Sequence, residues 1–393
     1  MRVLCSCVPG HGHFHPLIPI ATSLAAAGHQ ISFVVDETFR PEVMKAGFDV
    51  IVAGEDIASP MFRAVGEHPE FFELSPLAKR EFAMREVFGG ARMDSSFEAI
   101  LAAARGFEPD VIIHDPAEYA APLIAAIEAI PNVCVGYGMV LQRSLRVAAG
   151  RAVAHWWQTY GLEAPDDGGP YRYMYLDPCP GSLQGPGLAE VVTAAAIRPI
   201  AFGDSTEDGL PDAVGALGDR PLVYVTLGTL YSGDTPALRS IVQGLQPLGV
   251  NIVVTVGPNG DPTAVEPAPN IVVERFIPQR ALLPRCAMIV THGGSGSMLG
   301  PLAEGIPILA TPRGADQFEN ADAIVRSGAG IAVQPSELTV EGVTHAARRV
   351  LEDPSFRAAA QRVATEISGM PHPDTLVGRI EDLVASGVAQ RSV

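Results

Sequence analysis

Short apolar runs alternate with longer amphipathic stretches along most of this chain. An apolar run at residues 2–8 predicts a buried strand, and residues 31–35 predict the next one. Between them, Pro16 opens a predicted amphipathic helix that runs through Ala27, and Gly28 is suited to end it. Strand, helix and strand in this order form a βαβ unit, whose repetition predicts a parallel sheet. Ligands bind such sheets at the carboxyl ends of the strands.

The same alternation returns in the second half of the chain. Predicted strands lie at 221–227, 251–256, 271–273 and 288–290, and predicted helices at 235–247 and 317–327. Residues 199–220 are rich in Gly, Asp and Pro, which is typical of a linker. A chain of 393 residues is long enough for two domains. We therefore predict an α/β protein with two Rossmann-like domains, at 1–205 and 221–373, joined by a linker at 206–220.

Two stretches of the first half break this regularity. Residues 56–107 are rich in Met and Phe, and residues 156–175 hold both tryptophans and several tyrosines interleaved with Gly and Pro. The first predicts helices with apolar faces, and the second predicts loops and short helices rather than core. Either stretch can be simple packing or an adaptable wall for an apolar small molecule. The wall candidates are Phe62, Met84, Phe88, Trp156 and Tyr160.

The charge and composition exclude several classes of partner. A net charge of −17 leaves no basic stripe to neutralise phosphates, so nucleic-acid binding is not expected. No apolar run reaches the roughly 20 residues that span a bilayer, and the chain opens on a strand pattern instead of a signal peptide. Five scattered cysteines suggest reduced thiols and no zinc site. We therefore expect a cytoplasmic protein without membrane contact.

A glycine-rich turn marks the strongest candidate for chemistry. The apolar run at 288–290 leads into the sequence Thr291-His292-Gly293-Gly294-Ser295-Gly296-Ser297, and a predicted helix follows. Glycines let the backbone approach an anion, and the amides and dipole of a helix start favour negative charge. Such a turn also occurs as a plain connection between a strand and a helix, so it predicts a phosphate site only together with its surroundings.

Those surroundings resemble the donor-binding signature of the family-1 nucleotide-sugar glycosyltransferases, of the bacterial antibiotic (calicheamicin and macrolide) type. The matching pieces are Phe276-Ile277-Pro278-Gln279, Leu282-Leu283, 292–297, Gly305-Ile306-Pro307 and Asp316-Gln317. The resemblance implies the two-domain GT-B fold, in which two Rossmann-like domains face each other. It also implies that residues 374–393 form a helix that packs back on the first domain.

The resemblance assigns the nucleotide-sugar donor to the second domain. Phe276 and Ile277 flank the base, and Gln279 belongs to the same segment. His292, as a donor or a positive charge, holds the diphosphate with Gly293, Gly294, Ser295, Gly296 and Ser297. Asp316 and Gln317 bind sugar hydroxyls, although taken alone they are an ordinary solvated loop. Gly12 and the hydroxyl of Thr229 complete this set.

Two departures from the plant members bear on the donor. Phe276 stands where they carry Trp, which weakens stacking on the base. Gly300 stands where they carry the Glu that binds ribose hydroxyls. A nucleotide without the 2′-hydroxyl misses that Glu least, so a dTDP-sugar is favoured over a UDP-sugar as the donor substrate.

The same resemblance implies the catalytic pair. Gly12-His13 and Pro16 match the family's Gly-His-x-x-Pro segment, so His13 is the expected base that deprotonates the acceptor hydroxyl. Asp115, at the carboxyl end of a predicted strand, is its expected acid partner. Taken singly, each is an ordinary loop residue. The chain lacks an Asp-x-Asp motif, so no metal and no other cofactor is expected.

These features predict an inverting O-glycosyltransferase acting on a hydrophobic secondary metabolite. Two alternatives stay open: a nucleotide-sugar 2-epimerase, and a glycosyltransferase-like partner protein that does not turn over. The residues leave open the sugar, the aglycone, the hydroxyl, the need for an auxiliary protein and the oligomeric state, a homodimer included.

Overall fold

The computed structural model describes residues 1–201, 210–228, 234–257 and 260–387. The chain divides into two compact units. The first contains Met1–Cys179, Gly185–Arg198 and the chain from Pro371 onward, and the second contains Pro180–Gln184 and Pro199–Met370. Each unit contains one parallel sheet together with helices. Among the described residues, no helix combines the length and apolar character that a membrane span requires.

The sheet of the first unit has seven parallel strands. They are β1 (Arg2–Ser6), β2 (Gln30–Val35), β3 (Asp49–Val52), β4 (Val111–His114), β5 (Asn132–Val135), β6 (Met174–Asp177) and β7 (Ala194–Ala196). Their order in space is β3-β2-β1-β4-β5-β6-β7, so the direction of chain progression reverses between β1 and β4. Ser6 pairs with His114 at the end of these two strands. The loops after β1 and β4 therefore leave the sheet side by side.

The helices of this unit follow the predicted alternation, with one difference near its start. They are α1 (His11–Phe14), α2 (Ile18–Ala26), α3 (Arg40–Lys45), α4 (Ala58–Glu67), α5 (Pro76–Phe82), a π-helix (Ala83–Ala91), α6 (Arg92–Phe107), α7 (Ala120–Ile127) and α8 (Arg143–Thr159), with 3-10 turns at His15–Leu17, Pro69–Glu73 and Pro186–Glu190. The single helix predicted from Pro16 is instead a 3-10 turn followed by α2. Pro16 and Pro19 each lie in the first turn of their own segment, where a missing N–H costs no hydrogen bond.

The prediction that the aromatic stretch at 156–175 forms loops and short helices rather than core is wrong for residues 156–159, whereas residues 160–173 lie outside helices and strands as predicted. Residues 143–159 form the continuous helix α8, and Trp157 is only 1% exposed, in the core. Leu145, Ala149 and Val153 precede Trp157 at four-residue spacing, so they form one apolar stripe with it. A Cβ at Gly150 would lie 2.1 Å from the Asp166 carbonyl oxygen, so this glycine serves close packing inside the helix.

The second unit repeats the pattern with six parallel strands. They are β8 (Leu222–Thr226), β9 (Asn251–Thr255), β10 (Ile271–Glu274), β11 (Cys286–Thr291), β12 (Ile308–Ala310) and β13 (Gly330–Ala332), in the order β10-β9-β8-β11-β12-β13. The helices are α9 (Asp212–Gly215), α10 (Thr235–Leu245), α11 (Gln279–Leu282), α12 (Ser295–Ala303), α13 (Gln317–Ser327), α14 (Val340–Glu352) and α15 (Pro354–Gly369), with 3-10 turns at Gln246–Leu248, Pro262–Ala264, Leu283–Arg285 and Pro335–Glu337. Both sheets have the strand order of Rossmann folds, so the predicted α/β class is confirmed.

The chain returns to the first unit at its end. After a 3-10 turn (Pro373–Leu376), helix α16 (Val377–Ala385) packs against α2. Leu376 and Ile380 are buried in the core of the first unit, and the Ser23 hydroxyl donates to Asp374 over 2.6 Å. Residues 371–387 are therefore a structural part of the first unit.

Candidate active site

His13 and Asp115 lie side by side at the carboxyl edge of the first sheet. The His13 Nδ1 atom is 2.9 Å from the Asp115 Oδ1 atom. His13 belongs to α1, which follows β1, and Asp115 directly follows β4. Because these strands are neighbours where the strand order reverses, the fold unites two residues that are 102 positions apart.

Aromatic packing fixes the short helix that carries His13. Phe14 is buried, and its ring packs edge to face against Phe33 on β2 and Phe39 before α3, with centroids 5.2 and 5.5 Å apart. The neighbouring His13 side chain stays 24% exposed. The core thus anchors one residue of α1 while the next remains accessible to a substrate.

Backbone amides hold the Asp115 carboxylate, whose side chain is fully buried. Its Oδ2 accepts from Val8 N–H and its Oδ1 from Ala117 N–H, each over 2.8 Å. Burial opposes the ionised form, but the charge of His13 and these hydrogen bonds outweigh it and hold the pKa of Asp115 below its usual value. Asp115 is therefore an anion aimed at the His13 ring at neutral pH.

Two aromatic rings border His13. Tyr137 packs edge to face at 5.3 Å between ring centroids, and Phe88 on the π-helix lies at 6.0 Å. Phe88 was predicted as an acceptor-wall residue, whereas Tyr137 was not. Its position just after β5 was the available signal, since the carboxyl ends of parallel strands carry sites.

The other predicted wall residues occupy different surroundings. Met84 is buried in the core, and Phe62 on α4 is 78% exposed. Trp156 packs against Phe97 at 4.8 Å between ring centroids, and the Tyr160 hydroxyl donates to Glu98. These last two side chains therefore join α8 to α6.

In the second unit, the glycine-rich turn connects β11 to α12. Gly293 has φ +85°, a left-handed conformation that favours glycine, and α12 begins at Ser295. Gly228 lies two residues after the end of the neighbouring strand β8, and an added Cβ there would lie 2.4 Å from the His292 Cε1 atom. An added Cβ at Gly294 would lie 2.6 Å from His292 Nε2. The imidazole ring therefore lies against two glycines from adjacent strand ends.

Burial determines the protonation state of His292. It lowers the pKa of His292 to about 4, while Asp316 and a backbone hydrogen bond with Thr226 pull in the opposite direction. Of the two roles left open from sequence, a neutral hydrogen-bonding group therefore fits His292 better than a positive charge at pH 7.

The predicted sugar-binding pair is held by the residues around it. Asp316 Oδ2 accepts from the Ser295 hydroxyl over 2.6 Å and from the Asn320 amide over 2.9 Å. The Gln317 side-chain oxygen accepts from the backbone N–H groups of Arg313 and Gly314. Asp316 Oδ1 and the Gln317 amide nitrogen are the polar atoms that these bonds leave available for a ligand.

The remaining predicted donor residues differ in exposure and in their hydrogen bonds. Phe276 is 61% exposed and Ile277 is buried, so the two cannot contact a base in the same way. The Gln279 amide lies 3.5 Å from the Tyr224 hydroxyl. Ser297 bonds within the turn to Gly294 O, Gly296 is exposed on α12, and Gly12 lies in α1. Thr229 lies outside the described residues.

Comparison with known proteins identifies the family. The erythromycin biosynthesis protein CIII-like N-terminal domain matches residues 22–214, and the corresponding C-terminal domain matches residues 239–383. The chain belongs to this glycosyltransferase family. An L-demethylnoviosyl transferase of Streptomyces niveus is 30% identical over 100% of this chain and 99% of its own. A 3-alpha-mycarosylerythronolide B desosaminyl transferase of Saccharopolyspora erythraea is 26% identical over 98% and 99%.

Solved structures of glycosyltransferases share the fold. SnogD of Streptomyces nogalater superposes with a TM-score of 0.79 at 27% identity, over 98% of this chain and 99% of its own. SsfS6 of Streptomyces sp. SF2575, complexed with thymidine diphosphate, does so with 0.79 at 26%, over 97% and 99%. The predicted family, GT-B fold class and glycosyltransferase activity in natural-product biosynthesis are therefore confirmed.

Besides Tyr137, sequence reasoning missed two residues in the second unit of this CIII-like glycosyltransferase. The Asn320 amide donates to the Gly293 carbonyl as well as to Asp316, so it ties the glycine turn to the start of α13. The Arg313 guanidinium lies 3.6 Å from Asp234, just before α10. The one-turn spacing of Asp316 and Asn320 on a helix was a readable signal for the first. Arg313 has no local pattern that distinguishes it.

Within the part of the chain that the structure describes, no three His, Cys, Asp or Glu side chains are grouped to hold a metal ion. Among the described residues, the five cysteines are all buried and none forms a disulfide.

Proposed function

We propose that this glycosyltransferase moves a deoxysugar from a dTDP donor to a hydroxyl of a hydrophobic aglycone, with inversion at the anomeric carbon and without a metal. The observation that carries the proposal is the 2.9 Å contact between His13 Nδ1 and Asp115 Oδ1. A carboxylate only accepts hydrogen bonds, so the proton of a neutral His13 is on Nδ1. Nε2 is then the basic nitrogen that receives a proton.

In the proposed reaction, His13 Nε2 takes the proton of the acceptor hydroxyl as its oxygen attacks the anomeric carbon. The bond from that carbon to the diphosphate oxygen breaks on the opposite face, and its electron pair leaves with dTDP. Asp115 stabilises the imidazolium that forms, because it is a buried anion in direct contact with the ring. One displacement at one carbon inverts its configuration.

The glycine turn supplies the proposed site for the leaving diphosphate. The backbone amides at the start of α12 are hydrogen-bond donors for developing negative charge, and the neutral His292 ring, whose single N–H bonds the Thr226 backbone, lies beside them. Asp316 Oδ1 and the Gln317 amide then face sugar hydroxyls. SsfS6, which binds thymidine diphosphate, and the absence of an acidic side chain at Gly300 support a thymidine nucleotide.

The donor is tested by calorimetric titration with dTDP and UDP. We expect dTDP to bind at least about ten times more tightly, a difference of about 1.4 kcal/mol. Equal or tighter UDP binding would contradict the donor assignment.

The reaction is tested by turnover on aglycones that include tylactone and aklavinone, the acceptors named for two relatives. We expect a product of inverted anomeric configuration by NMR, full activity in EDTA, and a His13→Ala loss of at least about 10²-fold. Retention of configuration, or abolition by EDTA, would refute the corresponding part. Incubation with the donor alone should give no epimer.

A further inference from the structure

A buried ion pair, Arg92 with Glu118, contacts the backbone next to the catalytic couple in the first unit. Arg92 at the start of α6 is 4% exposed, and Glu118 before α7 is 1% exposed. The Arg92 guanidinium donates to the Glu118 carboxylate and to the carbonyl oxygens of Glu55 and Cys7. Buried pairs of this kind seldom add net stability compared with apolar packing, so a role other than stability is considered for this one.

Both partners contact the two backbone segments that hold Asp115. Glu118 lies in the same turn, where its backbone N–H donates to the Asp115 carbonyl oxygen over 3.3 Å. Arg92 donates to the Cys7 carbonyl, and the next residue, Val8, donates its N–H to the Asp115 carboxylate. The Arg92 guanidinium also interacts electrostatically with Asp115 itself.

Four other titratable groups that interact with Asp115 carry no charge at neutral pH. Burial lowers the pKa of His114 on β4 to about 4, and it raises the pKa values of Cys7, Tyr119 and Cys134 well above neutrality. Burial opposes the charge of Arg92, but Glu118 and Asp115 together hold the pKa of Arg92 above its ordinary value. The negative charges in this group are therefore those of Asp115 and Glu118. The positive charges are those of Arg92 and of His13 when it is protonated.

We propose that Arg92 and Glu118 are positioning residues that set the basicity of His13 through Asp115. The inference rests on the proposed role of His13 as the base. With His13 neutral, the group formed by these four side chains has one excess negative charge. When His13 accepts the acceptor proton, two positive charges meet two negative ones. The charges of Arg92 and Glu118 therefore set how strongly the surroundings of Asp115 favour the protonated form of His13.

Opposite changes of charge should give opposite shifts in the pH profile of kcat/KM. Arg92→Gln leaves more negative charge, so His13 keeps its proton longer and the acid limb moves up by about one pH unit or more. Glu118→Gln leaves more positive charge, so the acid limb moves down by a similar amount. The double variant Arg92→Gln with Glu118→Gln restores the balance and should return the limb close to wild type.

Control variants separate tuning from packing. Arg105 and Glu128 form a 2.8 Å pair between α6 and the end of α7 that is largely exposed, so Arg105→Gln and Glu128→Gln should not move the limb. Arg92→Lys keeps the charge and should also leave it in place. Shifts of Arg92→Gln and Glu118→Gln in the same direction, or none in either, would overturn the proposal.

A direct titration keeps this test independent of turnover. The His13 resonance of isotope-labelled enzyme, assigned from a His13→Gln spectrum, should shift its midpoint in the same opposite senses without substrate. If those shifts occur while His13→Ala retains full activity, the proposed function fails and the electrostatic role of the pair stands. If Arg92→Gln or Glu118→Gln does not fold, the double variant and Arg92→Lys are measured instead. Both keep the charge balance, so a displaced acid limb in the pH profile of either one contradicts the proposal.

Discussion

The Nδ1 atom of His13 lies 2.9 Å from Oδ1 of Asp115, and that same oxygen accepts from the Ala117 backbone N–H over 2.8 Å. The second oxygen, Oδ2, accepts from the Val8 backbone N–H. All three bonds are donated to a carboxylate. Asp115 is thus an anion held in place by three donors, and it orients the base His13. Both roles require the ionised form of Asp115.

Replacing Asp115 by Asn should impair both catalysis and folding. An amide offers one accepting oxygen, so one of the three donors would face an NH₂ group at a cost of about 1–3 kcal/mol in the free energy of unfolding. Loss of the charge should lower kcat by about 10²- to 10⁴-fold. Steady-state kinetics and urea denaturation measure the two effects. Because the couple acts as a unit, the double variant with His13→Ala should lose little more activity than either single variant, and additive losses would argue against it.

His292 should make stability depend on pH in the mildly acidic range. Its folded pKa of about 4 lies below the value of about 6.5 of an unfolded histidine, so the unfolded chain binds the extra proton first. Above pH 6.5 the group does not lower the free energy of unfolding. As the pH falls towards 4, the free energy of unfolding declines, and the loss is about 2 kcal/mol near pH 5. His292→Gln should therefore flatten the decline of the urea midpoint between pH 7 and 4.5. The exposed His345→Gln is the matched control, and equal slopes in wild type and His292→Gln would refute the assignment.

Two glycines of one turn should respond differently to alanine. A Cβ at Gly294 would lie 2.6 Å from His292 Nε2, whereas a Cβ at Gly296 meets nothing within 4 Å. Gly294→Ala should displace the His292 imidazole and weaken dTDP binding by about ten-fold or more. Gly296→Ala should leave the melting temperature unchanged or raise it, because alanine favours a helix over glycine by up to about 1 kcal/mol. Calorimetry and thermal unfolding check both. Added to His292→Ala, the Gly294 change should have no further effect on binding; a further loss would show that the ring is not its target.

Gln317 should separate loop support from ligand binding. Gln317→Ala leaves the N–H groups of Arg313 and Gly314 without their acceptor and should cost about 1–3 kcal/mol in the free energy of unfolding. Gln317→Glu keeps accepting oxygens but loses the amide donor, so it should raise the donor KM with a smaller stability loss. Thermal unfolding and the donor KM distinguish the two variants. Equal stability losses would mean that the accepting oxygen does not support the loop.

The order of elements could be read from the sequence, because strand and helix periodicities are local properties. The predicted helix at 317–327 matches α13, and the glycine turn lies between β11 and α12 as predicted. The catalytic couple and the donor segment were named from motif resemblance, since side-chain chemistry and spacing survive at low identity. Where local signals competed, the prediction failed: the stretch at 156–175, with its interleaved Gly and Pro, begins inside helix α8 and carries the buried Trp157.

The sequence by itself determined two βα series, a glycine-floored turn and a histidine with a carboxylate candidate 102 positions away. Only the tertiary structure decided that β1 and β4 are neighbours, which brings His13 to Asp115. It also decided which buried charges contact the backbone around Asp115: Arg92 and Glu118 carry no local pattern that separates them from surface residues. Strand order and the burial of charge depend on contacts between distant segments, and no periodicity within one segment records them.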